Sequence, residues 1–214
     1  MSRAPGTTPY LLPTPAGAFA AAAEPDDNPI RAFMIALLAH EATPSLAAPE
    51  FLVWSGLGSL DDAYDWIGRL QALGWLQGLA EPRRAPAGPL ETILGNLLPS
   101  FGREGRVLLA DSHGFQIGSH GFTHEVAEEL SALSADIAAL HQRRHVSLNR
   151  NLGLPGSAWG LVDAAGQSQL GFWPLHAGNE RFVLVVAGMP TFNRPQLVDL
   201  VWTLLRRYAA AAQP

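Results

Sequence analysis

Residues 106–144, RVLLADSHGFQIGSHGFTHEVAEELSALSADIAALHQRR, decide the fold. The apolar run at 106–111 predicts a strand, 112–114 a Gly-containing turn, and 115–119 a second strand that runs back. Thr123 then predicts the start of a helix that continues to about Arg144. The three elements follow one another without a linker, so the stretch predicts one packed unit of two strands and a long helix.

The predicted helix carries two sets of residues that suggest a contact with a second chain. Large apolar residues recur at alternating spacings of four and three, which keeps them on one side of a helix. Small residues lie beside them, and side chains of this size allow another helix to approach closely. We predict a dimer or partner interface made of Val126, Ala127, Leu130, Ser131, Leu133, Ser134, Ile137 and Ala138, with Leu140 extending the apolar set.

Composition argues against several kinds of chemistry. Cysteine and lysine are both absent, and all 14 basic residues are Arg. The chain therefore has no thiol nucleophile, no Cys-ligated metal, no Schiff-base lysine and no P-loop lysine. It also lacks a Gly-x-Ser-x-Gly elbow and a dinucleotide fingerprint. We therefore expect a protein that is not an enzyme and needs no cofactor.

Net charge and hydropathy limit the expected cellular location and the expected classes of partner. The net charge of −5 argues against binding to a polyanion, so a nucleic-acid partner is not expected. No apolar run reaches the roughly 18 residues that a membrane span requires, and Pro residues interrupt the N-terminus where a signal would need an apolar core. Arg-only usage is typical of a GC-rich bacterial genome. A bacterial, cytoplasmic protein is the expectation.

The N-terminal part predicts a separate module. Residues 1–28 are rich in Pro, Gly and Ala and predict a flexible tail. Residues 29–82 predict three short helices, the first opened by Asn28-Pro29 and the third capped by Ser59, and then a strand of a small hairpin or wing. This order predicts a winged-helix-like module. Residues 83–87 read as a linker by composition.

Residues 88–214 predict a second domain that contains the opening stretch. A short helix at 90–98 precedes it, and strands at 157–163, 169–175 and 181–187 follow it. The last of these strands is the most β-branched and is expected at the centre of the sheet. Asn193-Arg194-Pro195 predicts the start of a final helix. The predicted order is helix-strand-strand-helix-strand-strand-strand-helix, an α/β (α+β) domain.

This order, together with VLLADSHGF at 107–115 and EVAEELSAL at 125–133, resembles the roadblock family. That family includes the roadblock dynein light chains and bacterial regulators of Ras-like small GTPases. Its usual signature is a strand that ends in Asp, then two residues and Gly, then an apolar strand and an Ala/Leu-rich helix. The resemblance covers about residues 88–210, well over half of the chain.

The resemblance implies a roadblock-like domain with a five-stranded, mostly antiparallel sheet. It also implies a homodimer or heterodimer in which the long helices and the middle sheet strands of two subunits pair, and whose surface carries a small GTPase or another assembly factor. We therefore expect a non-enzymatic dimeric adaptor or regulator of a Ras-like GTPase, either a scaffold or a GTPase-activating partner. Residues 1–85 precede the matching part, and the helix sequence is too different to carry over GTPase-activating capacity. The partner-facing charges would be Glu125, Glu128, Glu129, Arg143 and Arg144.

Several residues that could bear chemistry have simpler interpretations. His113, His120, His124 and the distant His176 could be read as metal ligands, but turns and helix starts commonly carry histidines without a metal. Asp111 is better explained as the cap of the turn before Gly114 than as a catalytic acid. Arg residues at the end of the long helix, Arg143, Arg144 and Arg150, could be read as an arginine finger, although they also complement the helix dipole.

Two other functions remain open. The first is a transcriptional regulator whose N-terminal module binds DNA and whose C-terminal domain dimerises. Its third predicted helix carries three carboxylates and one guanidinium group, from Asp61, Asp62, Asp65 and Arg69. The net negative charge of this helix would be repelled by the phosphates of DNA. The second is a small-ligand sensor, because α/β domains of this size can enclose a pocket.

Overall fold

The computed structural model describes residues 10–25, 28–46, 50–154 and 156–209. In chain order the elements of this part are β1 (Tyr10–Pro13), α1 (Pro15–Ala23), α2 (Pro29–Ala39), α3 (Glu50–Ser55), α4 (Leu60–Ala72), β2 (Leu76–Leu79), α5 (Leu90–Leu97), β3 (Val107–Asp111), β4 (Gln116–His120), α6 (His124–Val146), β5 (Trp159–Val162), β6 (Ser168–Ala177), β7 (Glu180–Ala187) and α7 (Pro195–Leu204). A 3₁₀ turn follows α5, and π-helical turns extend α6 and α7. None of the helices in these ranges is long and apolar enough to cross a bilayer.

The last five strands form one antiparallel sheet in the order β4-β3-β7-β6-β5. β7 lies at its centre, as the β-branched sequence of residues 181–187 predicts, and most of its residues are buried. The elements from α5 to α7 follow the predicted order of helices and strands. The predicted fold class, an α/β domain around a five-stranded antiparallel sheet, is confirmed.

Helices cover both faces of this sheet. Along β7, Phe182, Leu184 and Val186 point into a core that α1, α5 and α7 also line. The alternating residues Val183 and Val185 point the other way, into a smaller core beneath α6. This alternation is the two-residue period of a strand buried on both faces. Among the described residues, the sheet therefore has α6 on one side and α1, α5 and α7 on the other.

The predicted flexible tail over residues 1–28 is wrong for residues 10–25, while residues 1–9 and 26–27 lie outside the described part. The hydroxyl of Thr14 accepts a hydrogen bond from the N–H of Gly17 at 3.2 Å and caps α1, and Pro15 opens the helix. Ala18 and Ala22 are buried in the core beside β6 and α7. Alanine is the strongest helix former, and its small side chain allows close packing. The Pro- and Ala-rich composition here encodes a capped, buried helix.

The predicted helices of residues 29–82 are present as α2, α3 and α4. They enclose a core of their own with β1 and β2, which contains Leu11, Phe33, Met34, Leu37, Phe51, Ile67, Leu70 and Leu76. The predicted hairpin after the third helix is wrong, because β2 pairs antiparallel with β1 from the N-terminus. The Pro-rich residues after β2 favour no further strand. A winged-helix-like use of this module stays a prediction.

Residues 83–87, the predicted linker, are packed onto both parts of the chain. The carbonyl of Arg83 accepts a hydrogen bond from the N–H of Thr43 at 2.9 Å, and the N–H of Ala85 donates to the carbonyl of Glu41 at 2.9 Å. The Arg83 guanidinium contacts both carboxylate oxygens of Asp199 on α7 at 2.7 Å. Burial raises the pKa of the Asp199 carboxyl, and Arg83 opposes that rise. The segment therefore joins the helical module to α7.

Candidate interaction surface

The long helix α6 is set in place by local signals at both ends. Thr123 caps its start and accepts a hydrogen bond from the N–H of Val126 at 3.5 Å, and Glu125 lies in the first turn. Arg143 and Arg144 lie in the last turn, where cations complement the helix dipole. The predicted start at Thr123 and the predicted end near Arg144 agree with the observed range of His124–Val146.

The small residues of α6 face the chain's own sheet. Ala127, Ser131, Ser134 and Ala138 are buried, three of them completely. The prediction that these four contact a second helix is wrong. Small side chains let α6 lie close to β3 and β7, whose larger residues fill the space beneath it. The two buried hydroxyls are satisfied within the helix, since Ser131 donates to the Ala127 carbonyl at 2.7 Å and Ser134 to the Ser131 carbonyl at 2.8 Å.

The large apolar residues of α6 form a partly exposed stripe instead. Val126, Leu133 and Leu140 are 41%, 39% and 37% exposed, and they recur every seven residues. Leu130 and Ile137 lie between them and are half-buried at the edge of the core beneath the helix. Because successive residues turn by about 100°, this stripe lies beside the buried face rather than on it. A row of exposed branched apolar side chains along one helix is typical of a contact surface.

The edge strand β5 carries a second set of exposed apolar residues. β5 lies at the edge of the sheet and pairs with β6, and its Leu161 and Val162 are 56% and 62% exposed. At the start of the strand, the Trp159 indole N–H donates to Nδ1 of His141 on α6 at 3.2 Å. This bond ties the edge strand to the C-terminal half of α6. We call the residues Val126, Leu130, Leu133, Ile137, Leu140, Leu161 and Val162 the α6–β5 surface.

The five predicted partner-facing charges, Glu125, Glu128, Glu129, Arg143 and Arg144, are all exposed along α6. The carboxylates lie near its start and the guanidinium groups near its end. A hydrogen bond from the backbone N–H of Glu125, and then one from the Thr123 hydroxyl, lowers the pKa of the Glu125 carboxyl. Glu128 lies 3.4 Å from Nε2 of His124. The helix therefore presents a negative first half and a positive end beside its apolar stripe.

Asp111 caps the β3–β4 turn, as predicted. Its Oδ1 accepts hydrogen bonds from the N–H groups of His113 and Phe115, both at 2.9 Å. Gly114 closes the turn with a φ of +85°, which favours glycine. Within the described ranges, no group of three His, Asp or Glu side chains is arranged to hold a metal ion. His113, His120 and His124 are separate, exposed side chains at the turn, the strand end and the helix start.

The local sequence pattern does not single out Leu161 and Val162 as surface residues. Their exposure follows from the position of β5 at the sheet edge, and strand order has no local signature. A weak signal was present, since two large apolar residues stand side by side where a half-buried strand would alternate.

Among solved structures, the chain is similar to the Roadblock/LC7 domain from Streptomyces avermitilis, with 13% identity and a TM-score of 0.39 over 56% of this chain and 98% of that one. It is also similar to Myxococcus xanthus MglB, with 18% identity and a TM-score of 0.33 over 58% and 87% of the two chains. The gliding protein MglB from Thermus thermophilus is also similar, with 20% identity and a TM-score of 0.34 over 60% of this chain and 96% of that one. The sequence matches no family model and none of the curated proteins. The roadblock resemblance of the sequence is thus found again among structures, at low identity.

Proposed function

We propose that the protein is a non-enzymatic homodimer that regulates a Ras-like small GTPase, and that it dimerises through the α6–β5 surface. The observation that carries the proposal is the exposed apolar stripe of α6 next to an edge strand that also exposes apolar side chains. Exposing these apolar side chains to water is unfavourable, and burial against a second copy removes the cost.

The geometry of the surface suits a two-fold contact between identical chains. An edge strand presents unpaired backbone donors and acceptors, and a second β5 can pair with them antiparallel and continue the sheet. The bond between Trp159 and His141 keeps β5 next to α6, so the same rotation brings two α6 stripes together. An isologous contact uses each residue twice, and one patch then suffices for a closed dimer.

The GTPase part of the proposal is supported by the motif resemblance at residues 107–133 and by the exposed charges of α6. A regulator of this kind changes the populations of a partner's switch loops by binding one of their arrangements more tightly. Glu125, Glu128 and Glu129 stand beside the apolar stripe and can meet basic residues of such a partner.

We expect Leu133→Arg to convert the dimer into a folded monomer. Leu133 is the central exposed residue of the stripe, and a two-fold contact would place two guanidinium groups in an apolar interface. The mass in solution is measured by light scattering, and circular dichroism checks the fold. Leu73→Arg is the matched control, because Leu73 is another exposed leucine, 66% accessible, at the end of α4 and far from α6 in the chain. A wild-type chain that is monomeric, or a Leu133→Arg variant that stays dimeric, rejects the proposed interface.

The partner is tested with the full chain as bait in a native lysate, followed by purification of the retained protein. We expect a GTP-binding protein whose affinity depends on whether GTP or GDP is bound. Glu125→Lys should then lower the affinity by about tenfold while the dimer persists. Glu91→Lys, which changes the first-turn acid of α5, is the matched control. If the retained partner binds no GTP, or binds Glu125→Lys as tightly as the wild type, regulation of a GTPase is rejected. Salt-sensitive, sequence-selective binding to DNA would assign the function to the helical module instead.

A further inference from the structure

A cavity of about 390 Å³ lies between the C-terminal half of α6 and the adjoining ends of β6 and β7. His141 and His145 reach it from α6, His176 from β6 and Arg181 from β7. His176 and Arg181 are register partners across the two strands, so their side chains leave the sheet on the same face. We propose that this cavity binds a small organic anion through one carboxylate or phosphate group, with Arg181 as its anchor.

Arg181 carries a buried donor atom at this site. Its Nε is buried without a hydrogen-bond partner, and none of the ion pairs between described residues includes it. A buried donor without an acceptor is unfavourable, and the planar guanidinium offers a fork of N–H groups that matches two oxygens of one oxyanion. Because the Arg181 side chain lines the cavity, an anion there can contact its guanidinium group.

The histidines add donors around the same space. Nδ1 of His141 accepts the Trp159 indole proton, so the neutral ring carries its own proton on Nε2. Nδ1 of His145 lies 2.8 Å from the Gln142 carbonyl and donates to it, so Nε2 is the ring nitrogen left for a ligand. Glu24 is the single carboxylate among the described lining residues, so donors and cationic groups outnumber acids.

The size and the remaining walls indicate an organic ligand rather than a bare ion. Cavities that hold small molecules measure about 300–1,000 Å³, and this one lies near the lower end. Ala138, Leu154 and Pro174 form apolar parts of the wall, against which a short carbon skeleton can pack. The cavity lies on the sheet side of α6 and is separate from the exposed stripe. Anion binding in it therefore does not depend on the proposed dimer.

The test uses the full chain with succinate and inorganic phosphate as probes and sodium chloride as the ionic-strength control. Binding is followed by calorimetry and by the NMR signal of the Arg181 Nε–H, which is assigned through its loss in Arg181→Gln. We expect at least one probe to bind and to shift this signal. Arg181→Gln should weaken binding by about tenfold or more, and Arg103→Gln, an exposed arginine elsewhere, should leave it within about twofold. Binding of succinate alone indicates a carboxylate ligand, and binding of phosphate alone indicates a phosphorylated one.

His145→Ala provides a second variant, since its exposed side chain can be removed without a loss of core packing. We expect His145→Ala to lower the affinity for the same probe. This test can be made even if Arg181→Gln does not fold. Leu133→Arg should keep the binding, which separates this site from the dimer interface. Failure of both probes to bind or to move the Arg181 signal overturns the proposal. An equal loss in Arg103→Gln also overturns it, because it would indicate general attraction to surface charge.

Discussion

Trp202→Ala is expected to lower the free energy of unfolding by about 3–5 kcal/mol, the usual cost of truncating a fully buried tryptophan. Trp202 lies on α7 with no exposed surface, inside the core that α1, α5 and α7 form with the sheet. Its indole N–H also donates to the carbonyl of His40, just after α2, at 2.8 Å. The truncation therefore opens a cavity and removes a hydrogen bond between the helical module and the sheet domain. Chemical denaturation followed by circular dichroism measures the change.

Trp202→Phe separates the two contributions. It keeps most of the aromatic volume but removes the hydrogen bond to the His40 carbonyl, and the loss of such a bond costs about 0.5–1.5 kcal/mol. We expect its loss of stability to be clearly smaller than that of Trp202→Ala. Equal losses would mean that packing around the indole is unimportant. A Trp202→Ala protein as stable as the wild type would contradict the burial of this side chain.

Gly17→Ala is expected to destabilise the protein, although alanine normally stabilises a helix. A Cβ at residue 17 would lie 2.1 Å from the carbonyl oxygen of Trp75, which is backbone and cannot turn away. The same backbone accepts hydrogen bonds from Thr14, through its N–H to Trp75 at 2.9 Å and through its hydroxyl to Gly74 at 2.6 Å. The added methyl group must push α1 away from this contact, and overpacking of this kind costs about 1–3 kcal/mol.

Gly68→Ala and Gly95→Ala are the matched controls for this substitution. Both glycines lie within helices, α4 and α5, and a Cβ at either position would have no neighbour within 4 Å. Helix propensity alone then applies, and each control should gain about 0.5–1 kcal/mol. The experiment therefore compares signs as well as sizes. If Gly17→Ala stabilised the protein as much as the control substitutions do, the close approach of α1 to Trp75 would be contradicted. Residues 10–25 would then again be interpreted as a flexible tail.

The elements that the sequence predicts well are those with local signals. Thr123 is a cap, Gly114 is the turn glycine after Asp111, and the apolar spacing of α6 has helical period, so each can be read from a few neighbouring residues. The helix α1 could not be recognised in this way. Its alanines and its single cap give it little amphipathic pattern, and its stability comes from packing against β6 and α7, which are distant in the chain.

The candidate surface was predicted in part. The sequence places Val126, Leu133 and Leu140 together on one side of the long helix, and they do lie together. It does not say which side faces the sheet, because both the large and the small residues could be buried. In the structure the small residues lie beneath the helix, where β3 and β7 already provide bulk in Leu108, Val183 and Val185. The large residues are then left at the surface.

By itself, the sequence determined the order of helices and strands in residues 88–209, the ends of α6, and the absence of Cys- and Lys-dependent chemistry. These properties depend on residue type and short spacing, which act within a few positions along the chain. The tertiary structure alone decided that residues 10–25 are buried, that β1 pairs with β2, and that β5 lies at an edge. Such outcomes depend on competition between distant segments for the same apolar surface. A local sequence pattern indicates which segments can cover that apolar surface, and the packing of the whole chain decides which of them does so.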